Sequence, residues 1–274
     1  MVSRTSDFFK ESKKFLDNNG LGIFLYPKLL GNKKHSEKIL KKRHLDNQKK
    51  LEIFLILNDY EEEVKSFPNQ ILLRASARKS ILKENEFVFP WMHWCKTEPS
   101  EPLAKGEKPR VGFCGSLRHK RIIYKKKFEH CRNLECDFIL RDKFWGFADE
   151  NKPEHIVQDY IKNIEDNHFN IGHRGRGNYS MRFYHTMAMG RIPITIDTDL
   201  SLPLEDDIDY SQFSVIEKNP RDLRRKIIKL HRENKLTQMQ IMAGKIYHEK
   251  LNYKNYIINL FKNKKFKDKM AEFM

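Results

Sequence analysis

Residues 172–199 read GHRGRGNYSMRFYHTMAMGRIPITIDTD. Arginines, glycines and a serine crowd the stretch before an apolar helical segment. A guanidinium offers two parallel donors to phosphate oxygens. Glycine lets backbone amides approach an anion closely, and a helix N-terminus adds its dipole. The segment therefore has the chemistry of a phosphate or diphosphate site. Asn178 is placed to cap the helix, and Ser180 and Arg182 fall in its first turn. Gly190 stands where the helix should stop. The pattern is neither a Walker A loop nor a GxGxxG fingerprint, so it names no nucleotide class. On spacing alone RGRG fits a flexible basic loop as well.

The same residue types recur after other apolar runs. Asn58 and Asp59 follow Leu57. Arg74, Ser76 and Arg78 follow Leu73, and Trp91, His93 and Trp94 follow Phe89. Gly115, Ser116 and Arg118 follow Cys114, Arg141 follows Leu140, and His173, Arg174, Gly175, Arg176, Gly177 and Asn178 follow Gly172. In open α/β sheets ligands bind beyond the carboxyl ends of the strands, so these are the positions where chemistry is expected.

The runs themselves predict the positioning elements. Glu52–Leu57, Gln70–Leu73, Glu86–Phe89, Arg110–Cys114, Cys136–Leu140, Phe169–Gly172, Ile192–Ile196 and Phe213–Ile216 are short and rich in Ile, Leu, Val and Phe. That is how strands buried on both faces read. Between them Lys125–Asn133, Pro153–Asp166, Tyr179–Met189, Pro220–Lys235 and Leu236–Leu251 carry helical spacing. Met1–Asn18 also looks helical, Leu21–Leu25 reads as a short strand, and Lys33–Lys50 as a helix or exposed connector. Alternating strands and helices predict doubly wound parallel sheets. Lys96–Lys108, KTEPSEPLAKGEK, lacks an apolar period and reads as a linker between two α/β halves.

Composition bounds the rest. The chain has 274 residues, 39% of them hydrophobic, which is enough for a sizeable core and argues against global disorder. No apolar run approaches the length of a membrane span, and the N-terminal stretch lacks a secretory pattern, so a cytoplasmic protein is expected, with lysine-rich tails that could hold it peripherally at an anionic membrane. Four cysteines at irregular spacing predict neither a disulfide scaffold nor a zinc site. A net charge of +16 suits a polyanion: nucleic acid, an anionic membrane surface or a phosphorylated small molecule. The lysines are spread along the whole chain and no nucleic-acid-binding motif accompanies them, so nucleic acid is not the expected partner.

With these residues in place, GNYSMRFYHTMAMGRIPITIDTDLSLPLEDDIDYSQFSV resembles the most characteristic stretch of the exostosin-like glycosyltransferases. RASARKSILKENEFVFP, RVGFCGSLRHKR and DFILRDKFWG resemble further family segments in the right order. The likeness runs from about Leu72 to Val215 and fades toward the N-terminus. It implies the B-type glycosyltransferase fold, α/β with two Rossmann-like domains facing a cleft. Residues 1–104 would form the acceptor-side domain and 105–250 the donor domain, with 251–274 a helix packing back on the first. It implies transfer of a sugar from a nucleotide sugar to a hydroxyl of a glycan or glycoprotein acceptor, with inversion and without a metal ion or other cofactor. A UDP-sugar is the implied donor, with UDP-xylose, UDP-glucuronic acid and UDP-hexoses all open.

On that resemblance Ser180 and Arg182 should hold the diphosphate, helped by Gly115, Ser116 and Arg118. Arg141, Arg174, Gly175, Gly177 and Asn178 complete the expected donor side. One departure stands out: His185 occupies the position where many relatives carry Glu, usually credited with holding the ribose or sugar. Asp59 is the expected catalytic base, with His93 the alternative. Arg74, Ser76, Trp91 and Trp94 are the expected acceptor contacts. Asp197 and Asp199 read as a structural turn rather than a metal pair. Three other functions compete: a catalytically inactive glycan- or nucleotide-binding relative, a basic nucleic-acid-binding protein, and a guanine-nucleotide enzyme of the fucosyltransferase kind.

Overall fold

A computed structural model describes the backbone of residues 24–26 and residues 33–48, 51–57, 60–90, 98–116, 118, 121–143 and 153–272. Asp59, Trp91, His93 and Trp94, and the Met1–Asn18 segment, lie outside the described residues.

The first sheet contains β1 (Phe24–Tyr26), β2 (Glu52–Ile56), β3 (Gln70–Arg74) and β4 (Glu86–Val88). Its strands run parallel in the order β1-β2-β3-β4. The described β2, β3 and β4 residues are buried throughout, which is why these runs are continuously apolar rather than alternating. The pleat divides them between two layers. Phe54, Ile56 and Leu72 pack with Leu40 of the basic helix α1 (Lys33–Asp46), and Ile53, Leu55, Ile71 and Leu73 face the other way. Glu86 of β4 pairs with Arg74 of β3 at 2.9 Å, and both side chains are wholly buried.

The second sheet holds β5 (Arg110–Ser116), β6 (Glu135–Arg141), β7 (Phe169–Ile171), β8 (Ile192–Ile196) and β9 (Val215–Glu217). It is also parallel, in the order β6-β5-β7-β8-β9. Around it lie α2 (Ile122–Phe128), α3 (Glu154–Glu165), α4 (Met181–Ala188), α5 (Pro220–Arg232) and α6 (Leu236–Ile246). Asn219 caps α5 by accepting from the Arg221 and Asp222 amides, each at 3.0 Å, ahead of Pro220. The two sheets are the two Rossmann-like units expected. In the second, strand order reverses between β5 and β7, and such a switch point opens a crevice at the strands' carboxyl ends.

After α6 a π-helical turn, Tyr247–Leu251, redirects the chain into α7 (Tyr253–Lys262) and α8 (Lys264–Ala271). These helices cover the second face of the first sheet. Tyr256 donates to the Val88 carbonyl at 2.7 Å, Phe266 meets Phe87 edge-on at 5.0 Å, and Tyr253 stacks on Phe89 at 5.8 Å.

The segment read as a linker is a fastened strap over its described part. Leu103 and Gln240 exchange hydrogen bonds at 3.0 and 3.2 Å. Ser100 donates to Glu165 at 2.8 Å, and His168 bonds the Ala104 carbonyl at 2.8 Å. Its prolines deny it regular structure, but buried polar side chains of the second unit satisfy its backbone.

Candidate anion-binding site

The loops after β5 and β7 and the first turn of α4 meet at the switch point around a cavity of about 350 Å³. Arg182 forms part of its wall. Its guanidinium lies 4.5 Å from the centre of the Phe113 ring and 5.0 Å from that of Tyr160, and its Nη2 donates to the Cys114 carbonyl. Gly115 makes this approach to β5 feasible. It adopts φ 151°, and a Cβ there would stand 3.1 Å from Arg182 Nη2. Arg182 Nε and Nη1 are shielded from solvent and meet no acceptor among the described residues.

A second guanidinium, Arg121, lines the same cavity from the residue before α2. It donates to the carbonyls of Ser116 and Arg174, both at 3.3 Å, while its Nε has no acceptor among the described residues. Burial, and then the positive charge of Arg182, pull its guanidinium down to about 10. Neither Arg121 nor Arg182 is paired with a carboxylate among the described residues. Unneutralised cations with spare donors, walled by aromatic rings, are built to receive an anion.

Of the donor-side residues expected from the sequence, Ser116, Arg118, Gly175, Ser180 and Arg182 line this cavity. Ser180, not Asn178, is the N-cap residue of α4, and its hydroxyl makes no capping hydrogen bond. The expected cap at Asn178 is corrected because that residue is committed elsewhere. Its amide donates to Ser76 Oγ at 2.8 Å, and its Nδ2 donates to the carbonyls of Ala77 at 2.9 Å and Asp199 at 3.0 Å. Its Oδ1 accepts from Thr198 at 2.6 Å. Asn178 thus ties the switch loop to the first unit, and Gly177 serves the same junction: a Cβ there would meet Ser76 Oγ at 2.9 Å.

Other expected contacts point away from the cavity. Arg174 pairs with Glu61 at 2.7 Å and Arg141 with Asp159 at 2.7 Å. Glu61 also holds Arg78 at 2.6 Å; burial alone would raise its carboxyl, but the two arginines outweigh it and hold it below its ordinary value. His185 is wholly buried beneath the site and bonds the Tyr160 hydroxyl through Nδ1 at 2.8 Å, so its influence passes through Tyr160. Arg74 is corrected as an acceptor contact, since it is sealed against Glu86 and the Glu62 carbonyl. Ser76 is likewise consumed, 2% exposed beneath Asn178.

The sequence reading missed Arg121, Tyr160 and Tyr179 in the wall, and placed His173 and Arg176 after their strand without giving either a role there. The RHKR run flagged Arg118 but contained Arg121 as well. Asp197 accepts from the Leu200 amide at 3.0 Å and serves a turn, whereas Asp199 accepts from the Ser80 amide at 3.1 Å, a bond between distant segments. Among the described residues no trio of His, Cys, Asp or Glu stands close enough to hold a metal ion, and no helix is long and apolar enough to cross a membrane.

No protein-family model matches the chain, and no curated protein matches it. Solved structures similar to it include TarM, at 14% identity and a TM-score of 0.45, covering 78% of this chain and 50% of that one. Anabaena Alr3699/HepE, solved in complex with UDP-glucose, is similar at 8% identity and a TM-score of 0.46, covering 92% and 81%. A putative UDP-N-acetylglucosamine 2-epimerase from Listeria monocytogenes follows at 10% identity and 0.38, covering 93% and 76%. The chain spans half the length of TarM. At these identities and scores the likeness assigns neither family nor activity.

Proposed function

We propose that this chain is a glycosyltransferase that moves a sugar from a UDP-sugar to a hydroxyl of a glycan acceptor, with inversion. The observation that carries this reading is the pair of guanidiniums, Arg121 and Arg182, facing one cavity at the strand-order switch with no carboxylate among the described residues to neutralise them. A nucleoside diphosphate supplies what the pair lacks. Its oxygens take the fork donors in the ground state and gain charge as the bond to the anomeric carbon breaks. Ser116 and Ser180 add hydroxyl donors, and Tyr160 fixes the plane of Arg182.

In this reading the acceptor enters from the side of residues 1–104, facing the donor unit, residues 105–250. Asp59 removes the acceptor proton, with His93 the alternative base. The acceptor oxygen attacks the anomeric carbon as the carbon–oxygen bond to the diphosphate breaks, and that electron pair stays with the diphosphate. The arginines provide the positive charge, so no metal ion is assigned a role.

Thermal denaturation and calorimetry against UDP, GDP, CMP and a set of UDP-sugars test the proposal. Ligand at a hundredfold excess over Kd adds about 2.7 kcal/mol of stability. Stabilisation by UDP and by one UDP-sugar, followed by sugar transfer or donor hydrolysis, supports it. A response to GDP alone replaces the nucleotide. Binding without turnover makes the chain a binding relative, and silence toward every nucleotide defeats the reading. Retained turnover in Asp59→Asn removes Asp59 as the base.

A further inference from the structure

The cavity wall holds an inner and an outer pair of guanidiniums. Arg121 and Arg182 are half-buried, whereas Arg118 and Arg176, on the loops after β5 and β7, are exposed. The outer pair is fastened at the backbone. The Arg118 amide donates to Ser116 Oγ at 3.3 Å, and the Arg118 carbonyl accepts from the Arg121 amide at 3.4 Å. Arg176 lies in a loop closed by the Gly175 amide donating to the Tyr179 carbonyl at 3.3 Å, and its own carbonyl accepts from Arg174 Nη2 at 3.0 Å. Neither outer guanidinium has a hydrogen-bond or ion-pair partner among the described residues. Glu61, the carboxylate that grips this loop, is already shared between Arg174 and Arg78. No Asp or Glu stands among the described residues of the wall. Its other ionisable groups are Tyr160, Tyr179 and His173, the last joined through Nδ1 to the Tyr124 hydroxyl at 2.9 Å.

A diphosphate alone does not balance these charges. A guanidinium keeps its proton at neutral pH, and so does Arg121, although it is pulled down to about 10. A sugar nucleotide brings one negative charge on each phosphate, which the inner pair matches. The outer pair is left over. Arg176 also stands toward the first unit, because its loop neighbours Arg174 and Asn178 bind Glu61 and Ser76 there. We infer that Arg118 and Arg176 receive a second anionic group, a carboxylate carried by the sugar substrate beyond the diphosphate, so that the chain handles acidic sugars in preference to neutral ones. The inference rests on reading the cavity as a nucleotide-sugar site. The guanidinium fork fits the two oxygens of a carboxylate, and unpaired cations at the mouth of a cleft raise the local concentration of an anionic ligand. The carboxylate belongs either to the transferred sugar or to the acceptor glycan, and its chemistry at the rim is the same in both cases.

Titration calorimetry on the wild type and on the double variant Arg118→Gln, Arg176→Gln tests this in two arms. The first compares UDP-glucuronate with UDP-glucose. The second, with UDP present, compares a galacturonate trimer with a neutral galactose trimer. The wild type should favour the acidic ligand in at least one arm by roughly three- to thirtyfold, since a pair at an exposed rim is worth less than a buried one. The double variant should bring that ratio close to one. A preference in the first arm puts the carboxylate on the donor sugar, and a preference in the second puts it on the acceptor. Both residues are exposed and unpaired among the described residues, so the double variant should melt within about 2 °C of the wild type. UDP binding with no acidic preference in either arm, a preference that survives in the double variant, or a rim that instead favours UTP over UDP would overturn the inference while leaving the cavity reading intact. Silence toward UDP, GDP and every UDP-sugar would remove the cavity reading, and the rim's role falls with it.

Discussion

Replacing Arg182 by methionine should separate function from stability. The side chain keeps its stem between the Phe113 and Tyr160 rings, and its sulfur still contacts them. What is lost in the ligand-free protein is the bond to the Cys114 carbonyl, worth about 1.5–3 kcal/mol, and two cation–ring contacts of about 0.5–2 kcal/mol each. What is relieved is the burial of Nε and Nη1 without acceptors among the described residues, at about 1–3 kcal/mol each, together with repulsion of Arg121. These nearly cancel, and about 2–4 °C of melting temperature per kcal/mol then predicts a shift of only a few degrees, of either sign. Binding has no such compensation. Two charge-assisted bonds to a diphosphate are worth about 3–6 kcal/mol, so the Kd for UDP should rise by roughly two to four powers of ten. Scanning calorimetry and titration calorimetry on the same samples read both quantities. A fall in melting temperature of more than about 10 °C would make Arg182 a structural residue, and an unchanged Kd would refute its place in the site.

Three further outcomes follow from the described contacts. Glu86→Gln leaves the Arg74 charge buried without a partner and should cost about 3–5 kcal/mol in urea unfolding, most of it recovered when Arg74→Met is added; a cost below about 1 kcal/mol would contradict the sealed pair. His168 accepts from the Arg110 amide at 3.0 Å and bonds the Ala104 carbonyl, and burial lowers its basicity. The unfolded chain therefore takes up the proton first, and stability should be full above about pH 6.5 and fall as pH drops below it, a dependence that His168→Gln should weaken; identical pH profiles for the two proteins would exclude the effect. Glu61→Gln should loosen the switch loop from the first unit, seen as faster amide exchange at Gly175 and Asn178, with no change if Asn178 alone holds the junction.

The strands were legible because burial on both faces imposes one local signature, so EIFLI, QILLR and RVGFC could be placed from composition alone, and the half-buried edge strand CDFIL from its apolar residues. The strand-order switch was legible only indirectly, as polar residues gathering after β5 and β7. What resisted reading were pairings between distant segments. Asn178 looks like a helix cap until Ser76, in the loop after β3, is known to accept from its amide. Arg74 looks like a strand-end ligand, but its partner Glu86 lies on the next strand and seals it. The strap lacks periodicity, and its anchors Gln240, His168 and Glu165 sit on other elements. Arg121 and the Tyr124–His173 contact share that character: each residue is ordinary locally, and only the fold gives it a neighbour.

The return of α7 and α8 to the first sheet has a consequence for synthesis. Phe87 and Phe89 emerge from the ribosome long before Tyr253, Tyr256 and Phe266, the rings that cover them. At about 5–20 residues per second the intervening chain takes on the order of ten to forty seconds to make. Throughout that interval one face of the nascent first sheet has no lid, while the second unit, made within it, closes on its own core of Val111, Phe169, Ile192 and Leu223. The half made first is thus the half completed last. The growing chain gives a holdase a window of tens of seconds in which to shield that face.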